Sequence, residues 1–402
     1  MLLFFRFSYL QLVFKRRVLY IKKQSLKTHH QEALMSDQFD SESRIPAAVL
    51  GATGMVGRRF IRSLENHPWF KLQCIAASPK NRGRRFTEAV ASSPSDPPWP
   101  QTVSDMRLMD VSADLDTITG QCGVIFSAVS MDKDSVRSLE EDYARRNTAV
   151  ISCNSAHRWT EDVPMIIPEI NPEHLDVIPF QQQNRGWKTG FIVVKPNCSI
   201  QGIVPVLHPL RIFGLKSVLI CTCQAASGAG RILDEWDDLR DNVIPFIPGE
   251  EEKSEREPLK IWGRVQNGLI QPASQPVISA TCIRIPVSHG HMAVVHAGFD
   301  HPPGRAALQE ALQNFRNPLK GMDLPSAPNP LIRLFSKSDR PQTRLDRDAG
   351  KGMAVSVGRL REDSLLHWKF VTLSHNVARG AAGGAVLTAE LCFRRGLIPL
   401  RG

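Results

Sequence analysis

Ala47-Ala48-Val49-Leu50-Gly51-Ala52-Thr53-Gly54-Met55-Val56-Gly57 carries the reading of the fold. Ala47–Leu50 is a short run of the buried-strand kind, three glycines follow at three-residue spacing, and Arg58–Asn66 continues with helix-like periodicity. Strand, glycine turn and helix in that order can wrap a pyrophosphate. Glycine admits positive φ and close approach of a ligand, and the unpaired N–H groups and dipole at the helix start favour an anion. The spacing is GxxGxxG rather than GxGxxG, so a purely structural turn also fits; the position directly after a buried strand favours dinucleotide binding.

Working outward, apolar strands are expected at Leu72–Ala77, Val124–Ala128 and Ala149–Ser152, with a charged helix over Asp132–Arg146. Short apolar runs alternating with amphipathic helices predict an α/β fold, a parallel sheet covered on both faces. Ser92–Gln101 reads as a surface loop, and no internal repeat is evident. From Phe191 to about Leu373 the character changes to long β-like runs, Phe191–Val194, Ser217–Gln224, Ala280–Pro286 and Met292–Phe299, separated by charged, Pro-containing loops. That predicts a mixed or antiparallel sheet carrying substrate chemistry and a subunit contact. In the tail, Gly380–Gly384 reads as a small-residue loop feeding a helix over Ala385–Leu391, with close packing as the plain explanation.

The segment after the second strand chooses the cofactor. An NAD-binding chain presents Asp or Glu there to the ribose hydroxyls. Here Ser78-Pro-Lys80-Asn-Arg82-Gly-Arg84-Arg85 contains no acid, and a hydroxyl among cations suits the 2′-phosphate of NADP, although a solvated basic loop would look the same.

The chemistry clusters further on. In Lys195-Pro-Asn197-Cys198-Ser199 a cysteine lies in a polar turn between the strand Phe191–Val194 and the apolar stretch Ile200–Leu207, which is expected to begin a helix. A thiol at a strand-to-helix junction gains acidity, and backbone N–H groups there can hold an oxyanion. A lone cysteine is more often a packed core residue; the polar setting is what lifts Cys198 above that background. Cys282-Ile-Arg284-Ile-Pro-Val-Ser-His289-Gly-His291 places a planar carboxylate fork and two groups titrating near neutrality around a Pro/Gly loop. A buried ion pair and a surface histidine would be the bland account. His289 and His291 have no third ligand at metal-site spacing, so no metal is expected. Glu250-Glu-Glu-Lys253 and Gln224-Ala-Ala-Ser-Gly-Ala-Gly230, taken singly, are an ordinary charged turn and an ordinary flexible loop.

With 402 residues, 42% of them hydrophobic and 22% charged, the chain is long enough for two globular domains. Its net charge of +10 is concentrated at the start, where residues 1–34 carry seven Lys/Arg against Glu32 alone. The body lacks a basic stripe with interleaved aromatics, which argues against nucleic acid. The eight cysteines show no CxxC pair and read as reduced thiols of a cytoplasmic protein. The prefix beginning MLLFFRFSYL is apolar and basic but too short for a spanning helix, so no membrane association is expected. Met35 is the favoured native initiator; a transit segment directing the protein to an organelle and a structured extension are the alternatives.

Taken in order, GATGMVGRRF, VPMIIPEINP, KPNCSIQG, QAASGAG, PGEEEK, CIRIPVSHGH and HNVARGAAGGAVLTAEL resemble the aspartate-β-semialdehyde dehydrogenase family, in its archaeal and fungal branch, from about Ala47 to Leu391. The resemblance implies a Rossmann-type NADP-binding domain over 41–195, completed by the C-terminal helix within 374–402. It also implies an α+β catalytic and dimerisation domain over 196–373 and a homodimer or homotetramer; residues 1–40 stand apart as an extension. It implies Cys198 as nucleophile, His291 as acid/base at the family's seven-residue step from Arg284, and Gln224 orienting the acyl group. Arg284 would bind the substrate carboxylate and Glu250 its amino group, the choice among Glu250–Glu252 being open. Lys253, Asn154 and Arg158 would meet phosphate. Gly51, Thr53, Gly54, Met55, Val56, Ser78, Arg82, Ser127, Ala128, Ser227, Gly228 and Asn376 would line the cofactor. His289 has no implied role. The activity implied is NADPH-dependent reduction of β-aspartyl phosphate through a Cys198 thioester, with an acyl-CoA reductase such as malonyl-CoA reductase as the alternative.

Overall fold

The computed structural model describes residues 44–90 and 98–400. The basic prefix and most of the Ser92–Gln101 loop lie outside the described residues. Strand β1 (Ile45–Leu50) pairs in parallel with β2 (Phe70–Ala77) on one side and β4 (Val124–Ser127) on the other. With β3 (Met109–Asp110), β5 (Ala149–Ser152) and β6 (Phe191–Val194) the order is β3-β2-β1-β4-β5-β6, all parallel. Sequence order runs outward in both directions from β1, so the switch point lies between β1 and β4, where open α/β sheets form their ligand crevice. Gly51 and Ser127 stand at that junction.

The strands are buried on both faces because their side chains alternate between two cores. Ala48, Leu50, Ile125 and Val150 enter one core, which continues into a second sheet. Ala47, Val49, Phe126 and Ile151 enter the other. Helix α1 (Met55–Leu64) closes the latter with Gly57, Phe60, Ile61 and Leu64, a single stripe at helical spacing. Helix α2 (Lys133–Arg145) starts at Asp132, whose side chain accepts from Asp134 N–H at 3.1 Å and Ser135 N–H at 2.9 Å.

The second sheet contains β7 (Leu215–Gln224), β10 (Val277–Arg284), β11 (His291–Phe299), β12 (Ile332–Leu334), β13 (Val355–Glu362) and β14 (Trp368–Ser374), in the order β10-β7-β11-β14-β13-β12. It mixes parallel pairs, β7 with β10 and β12 with β13, with antiparallel ones. Before β10 come helix α3 (Glu250–Ile261) and a small hairpin of β8 (Arg264–Gln266) and β9 (Leu269–Gln271). One face of the sheet is packed with Val218, Ile220, Val295 and Phe370, while Leu219 and Val277 on the other stay exposed. Among the described residues no helix is long and apolar enough to cross a membrane.

Three expectations change. Phe191–Val194, read together with the runs of the mixed sheet, is instead the edge strand β6 of the parallel sheet, paired with β5. Ile200–Leu207 does not begin a helix at once: a 3-10 turn, Ser199–Gly202, comes first, and the α-helix is Val204–Leu210, with Pro205 in its first turn. The Gly380–Gly384 stretch is not a loop but a wide π-helical turn, Ala378–Ala382, running into α4 (Gly383–Arg394). Close packing explains the glycines. A Cβ on Gly380 would lie 2.8 Å from Cys198 Cβ, and one on Gly384 would lie 2.3 Å from both Lys195 Nζ and the Arg379 carbonyl. Helix α4 is buried all round from Gly384 to Phe393, and its Val386 and Leu387 join the core of Val49 and Phe126.

Candidate active site

Strand β6 of the first sheet ends in Lys195-Pro196-Asn197, and the half-buried Cys198 caps the Ser199–Gly202 turn. Strand β11 of the second sheet starts at His291, and this end-to-end meeting brings Cys198 Sγ to 3.5 Å from His291 Nε2. Burial pushes the thiol up to about 12; Glu250 adds to the rise, while Arg158, Arg284 and Lys253 oppose it. Burial, aided by Arg284, brings His291 down to about 3. At neutral pH the free pair is therefore thiol and neutral imidazole. The ring's Nδ1 accepts the Ala225 N–H at 3.1 Å, which leaves the imidazole proton on Nε2, facing the sulfur. The thiol in turn donates to Asn197 Oδ1 at 3.5 Å.

Arg284, at the end of β10, is buried, with Nη1 donating to the Ala225 carbonyl at 2.8 Å. A Cβ on Gly228 would come within 2.8 Å of Arg284 Nη1 and of His291 Nε2 alike, so the missing side chain keeps one small space open over both groups. Glu250 opens α3. Its Oε2 accepts from Asn197 Nδ2 at 2.8 Å and Gln224 Nε2 at 3.2 Å, and its Oε1 from Lys253 Nζ at 2.9 Å. Burial drives its carboxyl upward, but Lys253 and the two amides outweigh that and hold it below the ordinary glutamate range. Glu251 accepts the Cys282 N–H at 3.1 Å, and Glu252 pairs with Arg256 on the exposed side. The geometry thus singles out Glu250 among the three.

The three groups expected around phosphate are not hydrogen-bonded to one another; each is tied to a carboxylate. Lys253 pairs with Glu250. Arg158 Nη1 donates to Glu257 Oε1 at 2.8 Å, and Glu257 Oε2 accepts the Asn197 N–H at 2.6 Å. Asn154 Nδ2 donates to Glu140 Oε1 at 2.9 Å and to Ser127 Oγ at 3.1 Å. Asn197 and Glu257 went unnoticed in the sequence. Asn197 adjoins the cysteine in its polar turn, and Glu257 follows Glu250 by two helical turns, on the same face, so a helical-wheel reading would have found it.

On the cofactor side, Gly51 has φ +79°, and a Cβ there would sit 2.3 Å from the Ala128 carbonyl. A Cβ on Gly57 would sit 2.1 Å from the Gly51 carbonyl. The turn therefore has room for backbone only, which suits a pyrophosphate. Ser127 is fully buried, and its hydroxyl donates to Glu140 Oε1 at 2.7 Å, beside the Ser152 hydroxyl at 2.6 Å. Burial pushes the Glu140 carboxyl up. Asn376 ties two loops together, its Oδ1 accepting the Gly290 N–H at 2.8 Å and its Nδ2 donating to Ser227 Oγ at 2.9 Å. Ser78 leads into the 3-10 turn Pro79–Asn81. The acid missing after Ala77 arrives from elsewhere: Arg82 Nε donates to Asp114 Oδ2 at 2.9 Å. His289 lies apart from the sulfur, stacked on His375 with ring centroids 5.4 Å apart.

Known proteins share this architecture along most of the chain. Residues 46–178 match the semialdehyde dehydrogenase NAD binding domain, and residues 207–379 the semialdehyde dehydrogenase dimerisation domain. The aspartate-semialdehyde dehydrogenase of Archaeoglobus fulgidus is 42% identical over 360 residues, covering 88% of this chain and 100% of its own. That of Aspergillus fumigatus is 38% identical over 365 residues, covering 87% and 97%. The crystal structure of aspartate semialdehyde dehydrogenase with NADP from Candida albicans superposes with a TM-score of 0.79 at 36% identity, over 89% of this chain and 100% of that one. Aspartate semialdehyde dehydrogenase II complexed with ASA, from Vibrio cholerae, gives 0.67 at 25% identity, over 87% and 98%. With domain order, sheet topology and extended identity all in agreement, this chain belongs to the aspartate-semialdehyde dehydrogenase family.

Proposed function

We propose that the chain reduces β-aspartyl phosphate to aspartate β-semialdehyde with NADPH and releases phosphate, a step of the aspartate pathway to lysine, threonine, methionine and isoleucine. The observation that carries this is the Cys198–His291 contact of 3.5 Å, set between one buried guanidinium, Arg284, and one half-buried carboxylate, Glu250. An α-amino acid presents the complementary pair of charges. Arg284 takes its carboxylate, Glu250 its ammonium, and the acyl carbon is brought to the sulfur.

Cys198 Sγ forms the bond to the acyl carbon as the C–O bond to phosphate breaks, and the thiol proton ends on the departing phosphate. Lys253, Arg158 and Asn154 are the groups for that phosphate, once Lys253 and Arg158 shift from their carboxylate partners. Gln224 orients the acyl oxygen. The nicotinamide cofactor, when bound, supplies the hydride that turns the thioester into aldehyde. Cys198 then leaves as thiolate, and the His291 Nε2–H facing it stabilises that charge until a proton returns. Backbone at Gly51, Thr53, Gly54, Met55, Val56 and Ala128 is suited to the cofactor's pyrophosphate. Ser78 and Arg82 are suited to its 2′-phosphate, and Ser227, Gly228 and Asn376 to the nicotinamide end, with Ser127 acting from below through its backbone.

The exposed face of the second sheet, with Leu219 and Val277, is suited to pairing with a second copy, and a dimer of such dimers is the larger assembly proposed. Residues 41–195 with 374–402, and 196–373, are the two proposed domains, and the cytoplasm is the proposed location. The test is a paired assay on the purified chain. Phosphate-dependent reduction of NADP with aspartate semialdehyde is expected, faster than with NAD. Oxidation of NADPH by malonyl-CoA without that activity would replace the acyl phosphate reading with the acyl-CoA one.

A further inference from the structure

Helix α3 is bonded both to the cysteine turn and to the loop that carries Arg158. Glu250, Ser254 and Glu257 follow one another at steps of four and three, so they share one helix face, and that face meets the turn. Glu250 takes the Asn197 side chain, and the Ser254 hydroxyl lies 3.3 Å from that of Ser199. Glu257, fully buried, makes two links. Its Oε2 accepts the Asn197 N–H at 2.6 Å, and its Oε1 accepts from Arg158 Nη1 at 2.8 Å. Asn197 passes the first link on, since its Oδ1 accepts from Cys198 Sγ at 3.5 Å and from the Ser199 N–H at 3.3 Å. The second link ends on a guanidinium with an open donor. Arg158 Nη2 reaches the Cys153 carbonyl at 3.3 Å, whereas Nε is buried without a hydrogen-bond partner among the described residues. The backbone of Arg158 is fixed separately, because Lys260 Nζ, one turn further along α3, donates to the Arg158, Thr160 and Val163 carbonyls at 2.7, 2.8 and 3.0 Å.

We propose that Glu257 is a positioning residue of the reaction, a single carboxylate that seats the Cys198 turn and tempers the attraction of Arg158 for the phosphate. The inference rests on the functional reading above, which gives the acyl group to Cys198 and the phosphate to Arg158. Both oxygens of Glu257 are taken, so it acts on the reaction only through Asn197 and Arg158. The sulfur attacks the carbon that the phosphate leaves, and the groups holding nucleophile and leaving group therefore need a fixed spacing. One side chain gripping both supplies it. The charge has a second effect: a buried carboxylate beside Arg158 offsets part of the guanidinium's pull on an anion, which lets phosphate depart once the thioester has formed. The geometry also explains why the residue is an acid. Both partners are donors, and an amide has only one accepting oxygen, so glutamine would hold one of them and release the other.

The test measures phosphate-dependent reduction of NADP by aspartate semialdehyde on the full chain, for wild type, E257Q and E257D, varying each substrate in turn. E257Q loses the charge and one of the two bonds. Its KM for inorganic phosphate is expected to fall by roughly threefold or more, because Arg158 is no longer offset. Its kcat is expected to fall by about tenfold or more, because the two holders lose their common seat. The KM for NADP is expected to stay within about twofold. A residue that only stabilised the fold would lower Tm and rate without tightening phosphate. E257D keeps the buried charge but is too short to span both partners, so its phosphate KM is expected to stay within about twofold of wild type while kcat falls by about tenfold. That variant carries the test if E257Q does not fold. A phosphate KM unchanged or raised in E257Q, or a wild-type kcat in either variant, would overturn the positioning role. Absence of phosphate-dependent NADP reduction by the wild-type chain would instead overturn the functional reading.

Discussion

Around Cys198 the residues marked by the motifs bond to one another or to a shared neighbour. His291 faces the sulfur, Glu250 takes Gln224 and Lys253, and His291 and Arg284 both bind the backbone of Ala225. Around the glycine turn the marked side chains are tied into the fold instead: Ser127 and Asn154 to each other and to Glu140, Arg82 to Asp114, Asn376 to Gly290 and Ser227. The reacting end is built from side-chain heads converging on one thiol. The cofactor end is built from backbone and from the space left by absent side chains, with polar residues underneath as struts. The two regions should therefore fail differently when altered.

The largest expected effect separates them completely. Cys198→Ala removes the proposed bond-forming atom, so turnover should fall by at least about a thousandfold. The NADPH Kd should stay within about twofold, since the sulfur belongs to the reacting end. Stopped-flow or steady-state rates measure the first and fluorescence titration the second. Substantial residual turnover would remove Cys198 from the mechanism, and a large loss of cofactor binding would show that the two ends are one unit.

The same division explains how much was legible in the sequence. The strand, turn and helix around Gly51 and the buried strands Ala149–Ser152 and Phe191–Val194 follow from local patterning, because a strand buried on both faces has no other way to be composed. Cys198, His291 and Arg284 were legible because chemistry needs those residue types and each stands in a polar turn or at a strand end. What patterning could not show was which partner neutralises each group. Asp114 reaching Arg82, Glu257 joining Arg158 to Asn197, and Glu140 under Ser127 and Ser152 are contacts between residues 12 to 99 positions apart, set by the packing of whole elements. The π-helical turn at Ala378–Ala382 was read as a loop for a related reason: the small residues of Gly380–Gly384 answer to the distant Cys198 and Lys195 as well as to the turn's own backbone.

A smaller effect tests the reacting end by itself. Arg284→Lys keeps the charge but loses the planar fork, and kcat/KM for aspartate semialdehyde should fall by roughly ten- to a hundredfold. NADPH affinity should not move. A kcat/KM within twofold of wild type would take the substrate carboxylate away from Arg284.

Glu140 tests the cofactor end, where the expected change is smallest in rate and clearest in pattern. Its Oε1 accepts from Ser127, Ser152 and Asn154, and burial raises its pKa, so the protonated form is favoured more than in an ordinary glutamate. Glu140→Gln preserves the acceptor and the shape, and should keep NADPH affinity within about threefold. Glu140→Ala leaves two buried hydroxyls and one half-buried amide without that acceptor, each buried one costing on the order of 1 kcal/mol or more, so it should lower Tm and weaken NADPH several-fold. Rescue by Gln is the decisive readout. Were Gln as damaging as Ala, Glu140 would be acting through its charge, and the cofactor end would depend on electrostatics in the way the reacting end does, rather than on struts that hold the backbone in place.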